Sequence, residues 1–474
     1  MIPLYESVGH LDRRAVEVCA MSEELLMEHA ALAIKEEILA RFEAPCRVLI
    51  VCGSGNNGAD GLALARLLSI ESGFEPTIYL PMGVSSPLAK AQLARIEALG
   101  IEQVEGLHPC EVLVDALFGS GFNRKMEPWA MKLIGQMDEL QAYKIACDLP
   151  SGISKEGNFD TCAQFDLTVT MGAPKLALFN DCIKDRAGEI VVASLGLPAM
   201  IYQEESDAYL LEMADLTLPL RNRQDTHKGS YGHLAVVMGE KPGAALLSSM
   251  AALRFGAGLV SVITREHHVN IPFDLMQNRR VEEGMNGLVL GMGLGEAFID
   301  EELGEMIGAH PVVLDADILY RPLTLKLLQA GHPVVLTPHP KEFAALLKLC
   351  DFKQTSIEEV QENRLSLAKL FSERFPEAVL VLKGANVIIA HRGRRYINPH
   401  GSSVLAKGGS GDVLSGMIGS LLVQGYAPKE AAIHASLAHA LAASGYSGAD
   451  YSMLPTELID QLSTLQETAD RELI

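Results

Sequence analysis

At 474 residues the chain is about three times the ~150-residue size usual for one domain, so two or three domains are expected. With 48% hydrophobic and 21% charged residues it is globular in composition, neither disordered nor fibrous. A net charge of −21 disfavours nucleic acid as a partner, although loop N–H groups still hold small anions whatever the net charge.

Charge appears by Glu6 with no apolar stretch behind it, so no signal peptide is expected. Residues 22–42 set Leu25, Leu26, Ala30, Ala33, Ile34 and Ile38 at helical spacing, with Ser22 as the N-cap. Residues 47–52 read as a short apolar strand. Further strands are expected at 75–80, 111–114, 143–147, 167–171 and 189–193. Strands alternating with helices predict a parallel sheet covered on both faces. The polar run at 203–207 breaks the pattern, and a domain boundary is placed at 206, giving residues 1–206 and 207–474. Strands resume at 233–238, 258–263, 287–290, 312–314, 333–336, 379–382 and 387–390. The uncharged stretch 431–449 carries His434, Ser436, His439 and Ser444, and reads as a buried helix, not a membrane span. His434 and His439 are five apart, about 140° around a helix, so a shared zinc is not expected. Eight cysteines without a C-x-x-C pair point to a reducing, cytoplasmic setting.

In the first half, Gly53-Ser54-Gly55-Asn56-Asn57-Gly58-Ala59-Asp60-Gly61 follows a strand and opens a helix. Glycines there allow a tight turn, and a helix N-terminus attracts phosphate. The acid that holds a ribose in dinucleotide-binding folds is missing, since the next strand ends Tyr79-Leu80-Pro81. Two more strands run into Asp115-Ala116-Leu117-Phe118-Gly119-Ser120-Gly121 and Asp148-Leu149-Pro150-Ser151-Gly152. In an open parallel sheet these loops share one edge, where Asp60, Asp115 and Asp148 would converge. Their oxygens suit a hard cation, and a tuned acid moves protons.

These three motifs resemble the NAD(P)H-hydrate epimerase domain, a Rossmann-like fold that interconverts the R and S epimers of hydrated NAD(P)H. The resemblance implies that Asn56, Asn57, Gly58, Ala59 and Asp60 line the hydrated nucleotide. With them it places Gly119, Ser120, Gly121, Phe122, Asn123, Arg124, Lys125 and Asp148. It implies K+ on Asn57, Asp115 and Ser151. Asp148 is the residue expected to transfer the proton.

In the second half, Ala406-Lys407-Gly408-Gly409-Ser410-Gly411-Asp412 leads into an apolar helix. Such a turn makes an anion hole, and an aspartate inside it can accept a hydroxyl proton. Gly291-Met292-Gly293-Leu294-Gly295, Leu314-Asp315-Ala316-Asp317, Thr337-Pro338-His339-Pro340-Lys341-Glu342 and Lys383-Gly384-Ala385 all follow or close strands. Together these runs resemble the NAD(P)H-hydrate dehydratase, a ribokinase-like α/β domain. The implied reaction phosphorylates the hydrate's hydroxyl from ADP, with ATP as an alternative donor and Mg2+ as cofactor. Phosphate then leaves, so ADP yields AMP and phosphate. Ala244, Gly293, His339 and Asp412 would contact the hydrate, with Asp412 as base. Lys383, Gly384, Ala385, Asn386, Val387 and Gly411 would contact the adenine nucleotide. Lys407, Val387 and the short 238–244 loop depart from the family pattern.

The expected architecture is α/β throughout: a Rossmann-like three-layer domain, then a ribokinase-like domain. The expected protein is a cytoplasmic metabolite-repair enzyme, isomerase and lyase in one chain, acting on the hydrates of NADH and NADPH. By the same resemblance it forms a homo-oligomer. The competing reading is a ribokinase-like vitamin kinase with an accessory N-terminal domain.

Overall fold

The computed structural model describes residues 1–122, 125–268, 270–353 and 356–472. It forms two compact units, Pro3–Ala208 and Tyr209–Ile474, the latter including Met1–Ile2. The chain starts with β1 (Ile2–Leu4) and the helices Gly9–Cys19 and Glu23–Arg41. Ser22 caps the second helix, its hydroxyl accepting from the Leu25 N–H at 3.1 Å.

The first unit is built on seven strands: β2 (Cys46–Cys52), β3 (Phe74–Tyr79), β4 (Gln103–Val104), β5 (Val112–Ala116), β6 (Tyr143–Cys147), β7 (Leu167–Met171) and β8 (Glu189–Ala193). All are parallel, in the order β4-β3-β2-β5-β6-β7-β8. β2 is buried apart from Arg47, and β5 and β7 are buried throughout. Apolar runs with little alternation are what burial on both faces demands. The order reverses between β2 and β5, and ligands of such sheets bind outside the strand ends at that point.

The second unit carries β9 (Ala208–Leu210), β10 (His233–Val237), β11 (Leu259–Ile263), β12 (Met276–Asn278), β13 (Gly287–Leu290), β14 (Val312–Leu314), β15 (Val334–Leu336), β16 (Val379–Leu382), β17 (Val387–His391) and β18 (Arg394–Asn398). The sheet runs β1-β9-β18-β17-β16-β15-β14-β13-β10-β11-β12, reversing between β10 and β13. Within this unit the Met1 ammonium donates to Asp215 at 2.8 Å.

The sheet is parallel from β12 to β16, but β16, β17 and β18 are antiparallel. Residues 383–386 are too few for a crossover and can only turn the chain back. Arg392 and Gly393 then both take positive φ, the geometry of a two-residue hairpin. β18 escapes sequence reading because Arg394 and Arg395 interrupt its apolar pattern. The uncharged stretch becomes the helix Pro428–Ser444, buried along most of its length. No helix among the described residues is long and apolar enough to cross a membrane.

Candidate active sites

In the first unit Gly53 closes the switch point. A Cβ there would lie 1.9 Å from the Leu117 carbonyl oxygen, so only glycine lets the two loops meet. The turn passes into the helix Asn56–Leu68, whose first N–H groups lack intrahelical partners. Beside it a cavity opens in two lobes of about 490 and 400 Å³. Asp12, Asn56, Asp60 and Met171 line both. The smaller lobe adds Asn57, Gly119, Ser120, Gly121, Phe122 and Asp148.

Asp148 directly follows β6 and holds a φ of 70°, uncommon for a residue with a side chain. The Lys175 ammonium stands 2.6 Å from its Oδ1 and also donates to the Met171 carbonyl at 2.6 Å. The Ser120 N–H donates to Oδ2 at 2.9 Å. Burial alone raises this carboxyl, but Lys175 and the Ser120 N–H outweigh it and hold Asp148 below the usual carboxylate range. Asp148 is therefore ionised at neutral pH and disposed to accept a proton. Asp60 goes the other way: burial, then the charges of Asp148 and Asp12, push it well above its usual value. Lys175 is fully buried, and sequence reading missed it. The available signal was a lone cation in the short apolar run after β7.

Asp115 lies inside β5, fully buried, not out in the loop. It accepts from the Ser151 N–H at 2.8 Å, the Ser151 hydroxyl at 2.7 Å and the Leu117 N–H at 3.1 Å. None of these donors is charged, and burial pushes the carboxyl up to about 6. The Phe118 N–H donates to the Ser151 hydroxyl at 2.9 Å, joining the pair to the loop at Gly119. Gly119 in turn abuts Asn57 Oδ1 and Asp148 Oδ2. The Asn57 amide nitrogen is buried without a hydrogen-bond partner among the described residues. A buried carboxylate, a hydroxyl oxygen and an amide oxygen, with no cationic side chain against the carboxylate among the described residues, fit a monovalent cation.

Not every expected residue faces the cavity. Gly58 and Ala59 are buried, Ala59 in the core under the helix, and neither lines it. Lys125 is exposed and also absent from the lining. Asn123 and Arg124 lie outside the described residues.

In the second unit Gly239 closes the switch point, because a Cβ would lie 2.3 Å from the Leu294 carbonyl oxygen. The Lys241 N–H donates to the Gly293 carbonyl at 3.0 Å, which staples the short 238–244 loop to residues 291–295. Ala244 then stands half-buried in the first turn of the helix Pro242–Arg254. Strands β13 to β15 deliver Gly291, Asp315 and Thr337 in register at their C-terminal ends, and Lys383 follows the end of β16 two residues further along.

Lys383 Nζ lies 2.9 Å from Asp315 Oδ1 and 3.8 Å from Glu342 Oε2. The Ser415 hydroxyl donates to Asp315 Oδ2 at 2.7 Å. His339 Nε2 meets Glu342 Oε1 at 3.2 Å. Gly411 rests over the lysine, a Cβ there falling 3.2 Å from Nζ. His339, Lys383 and Gly411 thus come together, with Asp412 in the first turn of the helix Ser410–Val423. Asp315 and Glu342 join them, two residues to which sequence reading gave no role. Burial first, then the charges of Asp315 and Glu342, push Asp412 up to about 6 despite Lys383.

Gly384 and Ala385 are exposed, Val387 is half-buried, and Asn386 is buried behind them. Lys407 donates to the Tyr451 carbonyl at 3.0 Å. His439 is buried with Nε2 3.0 Å from the Ser410 carbonyl, and burial pushes it down to about 4. It is a neutral donor tying its helix to the glycine turn. No group of three His, Cys, Asp or Glu side chains fit for a metal occurs among the described residues.

Comparison with known proteins matches both units. The family described as NAD(P)H-hydrate dehydratase matches residues 234–464, and that described as YjeF-related protein N-terminus matches residues 23–177. A bifunctional NAD(P)H-hydrate repair enzyme of Helicobacter pylori is 42% identical over 98% of this chain and 100% of its own length. One from Escherichia coli is 32% identical over 98% of this chain and 92% of its own. Among solved structures, an ADP/ATP-dependent NAD(P)H-hydrate dehydratase from Bacillus subtilis, co-crystallised with ATP and Mg2+, is 30% identical. It covers 53% of this chain and 95% of its own, with a TM-score of 0.46.

Proposed function

The chain belongs to the family of bifunctional NAD(P)H-hydrate repair enzymes, and on that footing we propose how its two sites divide the work. The first unit epimerises the R and S hydrates of NADH and NADPH. Inverting the carbon that bears the added hydroxyl requires one of its bonds to open. As the hydroxyl proton leaves, the ring C–N bond breaks to give a carbonyl and the nitrogen takes a proton. Re-closure on the other face reverses both transfers. Asp148, kept ionised by Lys175, takes the hydroxyl proton. The Asn56–Asp60 turn and the Gly119–Phe122 loop hold the nucleotide, their N–H groups facing its phosphates. K+ on Asn57, Asp115 and Ser151 would supply the positive charge that the buried Asp115 lacks.

The second unit dehydrates the S hydrate. Asp412 removes the hydroxyl proton as that oxygen attacks the terminal phosphoryl group of ADP, and AMP leaves. The ring's own C–O bond then breaks, that oxygen departs with the phosphate, and the ring loses a proton to restore the dihydronicotinamide. Lys383 and the N–H groups of the Gly409–Gly411 turn face the charge that develops on the transferred group. Ala244, Gly293 and His339 border the hydrate, and residues 384–387 border the adenine nucleotide. Mg2+, held by Glu342 and Asp412, would neutralise phosphate charge. Burial is the main cause that raises both carboxyls, and a bound cation would favour their ionised forms. A reducing cytoplasm suits a chain whose cysteines are free thiols.

The observation that carries this reading is Asp412 at a helix N-terminus beside the Lys383–Asp315 pair. The test is the full chain with hydrated NADH and ADP. The expected result is recovered dihydronicotinamide absorbance with AMP and free phosphate in equal amounts. A stable phosphorylated product would instead mark a small-molecule kinase.

A further inference from the structure

One wall of the first cavity comes from a helix outside the matched family stretch of residues 23–177, and a turn also outside that stretch holds the helix's Asp12. The helix Gly9–Cys19 precedes that stretch, and the helical turn Ala199–Tyr202 follows it. Asp12, on the first of these, lines both lobes. Tyr202 is buried, and its hydroxyl donates to Asp12 Oδ1 at 2.6 Å. The tyrosine ring is itself seated. A Cβ at Gly172 would lie 2.5 Å from it, and φ there is +72°. Arg14 Nη1 donates to the Tyr202 carbonyl at 3.2 Å. One oxygen of Asp12 is therefore fixed, and no hydrogen bond among the described residues holds the other.

We infer that Asp12, positioned by Tyr202, is a further substrate-binding residue of the epimerase site, its second carboxylate oxygen accepting a hydroxyl of the hydrated nucleotide. The inference rests on the epimerase reading of this unit. A carboxylate accepts hydrogen bonds and repels phosphate, so of the nucleotide's polar groups it suits the hydroxyls. Asp12 shares the junction of the two lobes with Asn56 and Asp60. This is where a ligand that fills both lobes must pass. Two kinds of hydroxyl satisfy this chemistry, the one added to the ring and those of the ribose.

The groups facing Asp12 set the sign of its pH dependence. They are Tyr202, Lys175, Asp148, Asp60 and Glu23, with Arg13 and Glu17 on its own helix. Burial raises Asp12, while the Tyr202 hydroxyl favours its ionised form.

The experiment measures epimerisation of R-hydrated NADH by the full chain across pH, for wild type, Asp12→Asn and Tyr202→Phe. The expected loss for Asp12→Asn is about tenfold or more in kcat/KM with an unchanged thermal midpoint. A fall in kcat assigns the ring hydroxyl, and a rise in KM assigns the ribose. Tyr202→Phe is expected to move the acid limb of kcat/KM to higher pH, a change that a merely structural tyrosine would not cause. Wild-type rates in Asp12→Asn, or an unmoved limb in Tyr202→Phe, overturn the inference. A wild-type chain that epimerises nothing overturns the epimerase reading instead.

Discussion

Both units bring two loops together where the strand order reverses, and both seal that junction with a glycine pressed on a backbone carbonyl. Each sets an aspartate and a lysine nearby, Lys175 buried and Lys383 half-buried. The electrostatics then diverge. In the first unit Lys175 is committed to Asp148 itself, 2.6 Å away, and the carboxyl is held low. In the second, Lys383 is committed to Asp315 and Glu342, and Asp412 is left among like charges and pushed up to about 6. A lysine next to an acid does not by itself fix that acid's state. What matters is which carboxylate receives its shortest contact.

The largest effects should come from removing the two aspartates separately. Asp412→Asn is expected to reduce dehydration by about a hundredfold or more and leave epimerisation intact, and Asp148→Asn should do the reverse. Measuring both rates in each variant checks the pair. Loss of both activities in one folded variant would break the comparison. The wild-type pH profiles sharpen it. A base works only when ionised, so dehydration should fall as pH drops through about 6, while epimerisation persists to lower pH.

Next in size is Lys175→Met. It leaves a buried carboxylate unpaired, which costs on the order of 3–5 kcal/mol. Calorimetry should show the first unit melting earlier and the second unchanged. In whatever folds, burial is opposed by the Ser120 N–H without Lys175, so the acid limb of epimerisation should move to higher pH. An unmoved limb would mean that Lys175 does not set the state of Asp148.

The legible part of the fold was its buried parallel strands. Continuous apolar runs such as residues 48–52 and 287–290 have no other stable place than a covered sheet. The loops at their ends were legible too, because glycine and aspartate there have few other uses. The hairpin β17–β18 was hidden, since its return strand begins with two arginines and its packing, not its pattern, makes it a strand. Lys175, Asp315 and Glu342 were hidden as site residues for a different reason. Their importance lies in partners 27 to 68 positions away, a separation that no local motif encodes.

The smallest effect tests a departure from the family pattern. Lys407 stands beside the glycine turn, and a free ammonium there would compete for the phosphoryl group. Its ammonium instead donates to the exposed Tyr451's carbonyl at 3.0 Å. An exposed contact of this kind is worth little, about 0–1 kcal/mol. Lys407→Ala should therefore change the dehydration rate less than about threefold and leave the nucleotide KM in the same range. A large rise in that KM would show that the lysine leaves Tyr451 for the phosphate. Its charge would then add to that of Lys383, and the second unit would hold a free cation where the first holds a committed one.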